Sequence, residues 1–152
     1  MSAIAATFRP MPFPKADSLR RDPVAQSFAL LRIAFTVAPI LFGIDKFANV
    51  LTNDWTRYLA PEFNDVIPGN AGDAMHIVGV VEIVAGLVVL VAPRIGALVV
   101  AAWLGGIIVD LLLRGGYGDI ALRDFGLMLS ALTLTRLASA YADRDRSAVD
   151  LR

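Results

Sequence analysis

Four apolar stretches, at about residues 26–47, 74–92, 95–113 and 120–140, constrain this chain of 152 residues more than any motif does. Each is close to the roughly 20 residues that a helix needs to cross a bilayer core. Inside lipid the backbone has no water to bond to, so a stretch of this length satisfies its own N–H and C=O groups as an α-helix. The predicted class is therefore all-α, an integral membrane four-helix bundle. With 57% of residues apolar, there is too little polar sequence for a soluble domain built around four such stretches.

The formal net charge is zero and the Lys and Arg residues form no contiguous run, so nothing here builds a basic surface for nucleic acid. Cysteine is absent, which removes disulfides, thiolate catalysis and iron–sulfur ligation. His76 is the single histidine, so one chain cannot ligate a haem through two histidines. No metal site is expected from one histidine and scattered carboxylates; three converging acids would hold a hard divalent ion only weakly.

The flanks set the expected organisation. Residues 1–25, Pro-rich and basic, lack the small-residue cleavage site of a signal peptide and read as a mobile cytoplasmic tail. The bundle occupies residues 26–140 and a second cytoplasmic tail residues 141–152. Arg9, Lys15, Arg20 and Arg21 before the first span, and Arg136, Arg144, Arg146 and Arg152 at the other end, outnumber Arg57 in the loop of residues 48–73. By the positive-inside rule both termini are cytoplasmic and that loop faces out. Within it Trp55, Tyr58 and Leu59 recur at helical spacing, with Asn53 or Asp54 as a cap, and such an aromatic segment suits the headgroup level and could roof the bundle. Pro93 and Arg94 mark a tight inner turn.

Of the ionisable residues in or at the ends of the spans, seven stand out: Arg32, Asp45, Lys46, Glu82, Asp110, Arg123 and Asp124. A charge at such depth costs several kcal/mol unless paired or hydrated, so each needs a reason. All but Arg32 fall toward the outer side, Glu82 deepest at roughly 12 Å from the start of its span. Arg32 has no acid near it and by default snorkels to the inner surface. Helical phase puts Met75, Val78, Gly79, Glu82, Ala85 and Gly86 on one face, and Arg32, Thr36, Pro39, Gly43 and Lys46 on another. Span three carries Ala97, Ala101 and Gly105 alongside Ala102 and Gly106, and span four Gly126 and Ser130. Small residues at these intervals allow close helix packing, and the span-three stripe from Gly96 and Ala97 is a candidate self-association face. Pro39 is expected to kink the first span.

Two pairs are available within helices, Asp110 with Arg114 and Asp119 with Arg123, leaving Lys46, Glu82 and Asp124 to find partners across helices. Two readings of this layer stand side by side. In the structural one, Lys46 neutralises Glu82 or Asp124 and Arg123 the other acid, fixing the register of the bundle. In the functional one, Lys46, Arg123, Asp45, Asp110 and His76 line a polar pocket, with Glu82 and Asp124 as proton-exchanging groups. His76 lies about 120° round the helix from Glu82, so it reads as an interfacial residue or, alternatively, a hydrogen-bond partner for a quinone.

Gly43-Ile-Asp-Lys-Phe47, Gly79-Val-Val-Glu-Ile-Val-Ala-Gly86, Pro93-Arg94-Ile-Gly96 and Asp119-Ile-Ala-Leu-Arg-Asp124 together resemble the DoxX family of small four-helix bacterial membrane proteins. The resemblance covers most of residues 28 to 138. It implies a multi-pass protein of the bacterial inner membrane, since relatives include the membrane subunit of thiosulfate:quinone oxidoreductase. It also implies Lys46, Glu82, Arg123 and Asp124 as the family-like charged positions, and a soluble or membrane redox partner. No cofactor motif is evident; electron transfer would need a quinone or a partner that carries the redox centre. Two functions follow as expectations: a membrane subunit of a quinone-linked oxidoreductase, or a non-catalytic anchor or scaffold whose charges are structural.

Overall fold

The computed structural model describes residues 10–64 and 69–150. Arg9 and Arg152, used above for orientation, lie outside the described residues, as does the loop stretch 65–68. The described elements are helical: α1 (Ala16–Arg21), α2 (Pro23–Ala48), a 3₁₀ turn (Thr56–Tyr58), α3 (Pro61–Asn64), α4 (Ala71–Val91), α5 (Pro93–Arg114) and α6 (Gly118–Asp150). Four of them, α2, α4, α5 and α6, are long and apolar enough to cross a membrane. They match the four expected spans to within a few residues, except that α6 runs on through the expected tail to Asp150.

Local chemistry explains the ends. Asp22 accepts from the Val24 N–H and Pro23 occupies the first turn of α2, where a missing N–H costs nothing. Asn70 and Asp73 form a reciprocal capping box at the start of α4. Pro93 opens α5 one residue after α4 stops, giving the tight turn read from the sequence. At the other end of α5, Gly115 and Gly116 take φ of +73° and +80°, a conformation that side chains disfavour, and the chain reverses into α6. Pro39 sits inside an unbroken α2.

Helix α2 packs along α4 and α5 along α6, while α4 against α5 and α2 against α6 close the four-membered ring. The α2–α4 contact is close. A Cβ on Gly43 would lie 2.5 Å from the Gly79 carbonyl oxygen, and one on Gly86 2.8 Å from that of Thr36. Most of each expected face is buried, Met75, Gly79, Glu82, Ala85 and Gly86 on α4 and Arg32, Thr36, Gly43 and Lys46 on α2, while Val78 and Pro39 are half-buried. On α5 the inward residues are Ala97 and Ala101, while Ala102 and Gly106 face out. Gly96 and Ala97, expected to begin a self-association face, are instead buried within the chain, Gly96 against the backbone of Val89. The α6 face also differs from expectation: Ala121, Asp124, Ala131, Leu134, Thr135 and Ala138 point inward, and Gly126 is exposed.

Leu30, Ile33, Val37 and Leu41 on α2, Val80, Val84 and Leu87 on α4, and Leu122, Leu129 and Leu132 on α6 point outward. In water an apolar surface this continuous drives association; in a bilayer it meets a matching solvent. The chain is accordingly a multi-pass membrane protein by the length and apolarity of its helices.

The segment from residue 10, expected to hang free, lies on the bundle. Met11 packs against the core cluster and its N–H donates to the Val91 carbonyl at 3.1 Å. Arg32 reverses its expectation as well. It does not snorkel: it is 2% exposed and donates to the carbonyls of Met11, Pro12 and Leu90.

Candidate functional site

The polar layer is built on α2 and α4, where the glycine contacts bring the helix backbones together one turn below Lys46. Lys46 Nζ donates to Glu82 Oε2 at 2.7 Å, and both side chains are buried. Depth alone allowed Lys46 either Glu82 or Asp124; the adjacency of α2 and α4 selects Glu82. The other side of the ammonium faces the Trp55 ring at 4.1 Å to the centroid, a cation–π contact delivered by the loop. Lys46 therefore sits between a carboxylate and an aromatic face, which offsets much of what its desolvation costs.

Two further groups complete the layer. Asp124 on α6 is buried and close enough to Glu82 to act on it electrostatically, so that two acids share the neighbourhood of one buried cation. Its ion-pair partner is Arg123, Nε to Oδ1 at 3.1 Å, but the Arg123 side chain is 63% exposed. From α5 the Trp103 indole N–H approaches Glu82 without closing a hydrogen bond, and its nitrogen is buried with no partner. All four spanning helices thus contribute to one level of the bundle. The sequence analysis did not single out Trp103; the signal available was its depth, similar to that of Glu82.

The remaining expected pocket residues do other work. Asp45 is buried and accepts from the Val50 and Leu51 N–H groups, each at 2.8 Å, and from Trp55 Nε1 at 2.9 Å. It ties the loop down rather than lining a pocket. Asp110 accepts from the Ala60 N–H at 2.8 Å, and Arg114 donates to the Arg57 carbonyl at 3.3 Å. Neither expected i, i+4 pair forms, because loop backbone donors and acceptors take Asp110 and Arg114, and Arg123 turns to Asp124. The loop turn itself is held by Asp54, not Asn53: its carboxylate accepts from the Thr56 N–H at 2.9 Å and from the Thr56 hydroxyl. Those donors hold the exposed Asp54 carboxyl below its ordinary range.

With the loop in place, a cleft of about 160 Å³ runs between Trp55, Thr56 and Asn53 on one side and Gly72, Met75 and His76 on the other, with Lys46 among its lining residues. That is room for several waters. His76 is exposed and stacks on Phe47, ring centroids 4.9 Å apart, so it borders the cleft and does not share a face with Glu82. Among the described residues no three His, Cys, Asp or Glu side chains cluster as a metal site would require.

Comparison with known proteins gives no matching family model, curated protein or solved structure.

Proposed function

We propose that this chain is a DoxX-like protein of the bacterial inner membrane, with both termini cytoplasmic, serving as the membrane subunit of a quinone-linked oxidoreductase. The observation that carries the reading is the buried Lys46–Glu82 pair with an unpartnered Trp103 N–H beside it and an outer cleft reaching Lys46. A cation, an acid and a lone N–H donor held in an apolar setting fit a ligand with carbonyl oxygens, which a quinone headgroup provides. When bound, such a group supplies two-electron, two-proton redox chemistry that the side chains lack. In this reading Glu82 holds or gives up the proton at its carboxylate, and Lys46 offsets negative charge next to it. Asp124 provides a second acid at the same level, Trp103 orients the ligand, and Trp55 limits water from the loop side. The family resemblance of the Lys46, Glu82, Arg123 and Asp124 segments supports the same assignment.

The test is purification from native membranes in mild detergent, mass spectrometry of any stoichiometric partner, and quinone-dependent turnover of the complex. A redox partner and a fall of about 100-fold in turnover for Glu82→Gln, with the bundle still folded, is the expected result. Full turnover in that variant removes Glu82 from the mechanism.

A second reading is favoured by a specific observation. Asp45, Asp110 and Arg114 all spend their hydrogen bonds on the loop, as a docking platform for another protein would require. As an anchor or scaffold, the chain would lose stability but no electron-transfer activity when Glu82 is replaced.

A further inference from the structure

The end of the bundle opposite Lys46 and Glu82 holds a buried cation that the charged layer does not use. Arg32 lies 14 residues before Lys46 on α2, which places it about 21 Å away along the helix axis. It forms no ion pair with any described acid. What compensates it is backbone. A helix leaves its last four carbonyls without intrahelical donors and carries partial negative charge there. Leu90 and Val91 are the last two residues of α4; Arg32 donates to the Leu90 carbonyl and the Met11 N–H to that of Val91. The guanidinium thus caps a neighbouring helix at the end where positive charge is favoured.

Its two Nη groups also hold the chain's own amino-terminal segment, while Nε has no partner. Nη1 reaches the Pro12 carbonyl at 3.1 Å and Nη2 that of Met11 at 2.6 Å, while the Phe13 ring covers the guanidinium at 4.1 Å. Alternation of proline at positions 10, 12 and 14 suits this use, because each proline offers a carbonyl and no N–H and keeps the backbone extended. Behind Arg32, Phe28 is fully buried and stacks on Tyr141 of α6, ring centroids 5.2 Å apart. Strap, α2, α4 and α6 therefore meet around one side chain.

We infer that residues 10–14 are a strap that Arg32 locks across this end of the bundle, sealing it so that the Lys46–Glu82 layer communicates with one side of the membrane only. The strap is the removable part of the seal. It is held by hydrogen bonds and one aromatic contact, whereas the helices behind it are held by continuous packing, so local opening begins with the strap.

The absence of cysteine allows a direct test. Thr36, buried one turn from Arg32 toward Lys46, is replaced (Thr36→Cys) in the full-length protein reconstituted in vesicles. A charged, membrane-impermeant methanethiosulfonate reagent is then added from either side. With the strap intact, modification is slow from both sides. Adding Met11→Gly, Pro12→Ser and Phe13→Gly accelerates it by about an order of magnitude or more from the Arg32 side alone, while cooperative thermal unfolding persists. Arg32→Lys, which keeps the charge at the α4 terminus but cannot span three carbonyls, gives an intermediate rate. Rapid modification with the strap intact overturns the inference whether or not the other variants fold. Equal rates with and without the strap overturn it too, as does acceleration from both sides alike.

Discussion

Removing one partner of the Lys46–Glu82 pair tests whether the layer holds the bundle together. The two atoms are 2.7 Å apart and the side chains are 5% and 10% exposed. At an effective dielectric of about 20, the gross attraction is roughly 6 kcal/mol, most of it opposed by desolvation of the two charges. The net value of the pair is therefore small, yet losing one member is expensive, because the other stays buried without compensation. Lys46→Met leaves Glu82 with only the Trp103 N–H nearby, and Glu82→Gln leaves the ammonium with the Trp55 ring and a neutral oxygen. Each single replacement is expected to cost about 3 kcal/mol, Lys46→Met the more. The double replacement is expected to be milder than the sum of the singles by about 2 kcal/mol or more. The assay is reversible unfolding in mixed detergent micelles, followed by the fluorescence of Trp55 and Trp103, which flank the pair. Additivity of the two singles within about 0.5 kcal/mol refutes the coupling and with it the structural role of the pair.

Close helix contact gives a second expectation. Gly43→Ala meets the Gly79 carbonyl oxygen and Ile83 and should lower stability by about 1–3 kcal/mol, whereas Gly106→Ala meets nothing within 4 Å and should raise it by about 0.5–1 kcal/mol in the same unfolding assay. Asp45→Ala strands two loop N–H groups and the Trp55 indole, so Trp55 emission should shift to the red and protease cleavage in the loop accelerate, with the helical content unchanged. Acid should loosen the 3₁₀ turn by a defined route. The Asp54 carboxyl is held below its unfolded value by the Thr56 donors, so its contribution is present above the unfolded pKa of about 4 and is lost as pH falls through the lower folded value. An Asp54→Asn variant should lack that transition when Trp55 fluorescence is followed from neutral pH to about pH 2, and a transition of equal size in both proteins would assign it elsewhere.

Much of the architecture was legible because a membrane span is specified locally. Length and apolarity define a helix, and the 3.6-residue period defines its faces, so the stripes of Gly43 and Lys46 on α2 and of Gly79 and Glu82 on α4 could be read before their contact was seen. The depth of the charged layer followed from the same arithmetic. Less of the candidate site was legible. Lys46, Glu82, Asp124 and Arg123 share a level, as expected, but Asp45 and Asp110 serve the loop and Trp103 joins the layer.

What tertiary structure alone decided was which helices are neighbours and which groups bond to backbone. Periodicity fixes the phase of a residue on its own helix, not the identity of the helix it faces. The α2–α4 contact gave Lys46 to Glu82, and the inward face of α6 runs through Ala131 and Leu134 instead of Gly126. Backbone carbonyls and N–H groups, moreover, occur at nearly every residue and leave no trace in the sequence. Arg32 looked like an unpaired charge for that reason, when its partners are the carbonyls of Met11, Pro12 and Leu90, brought together only by folding.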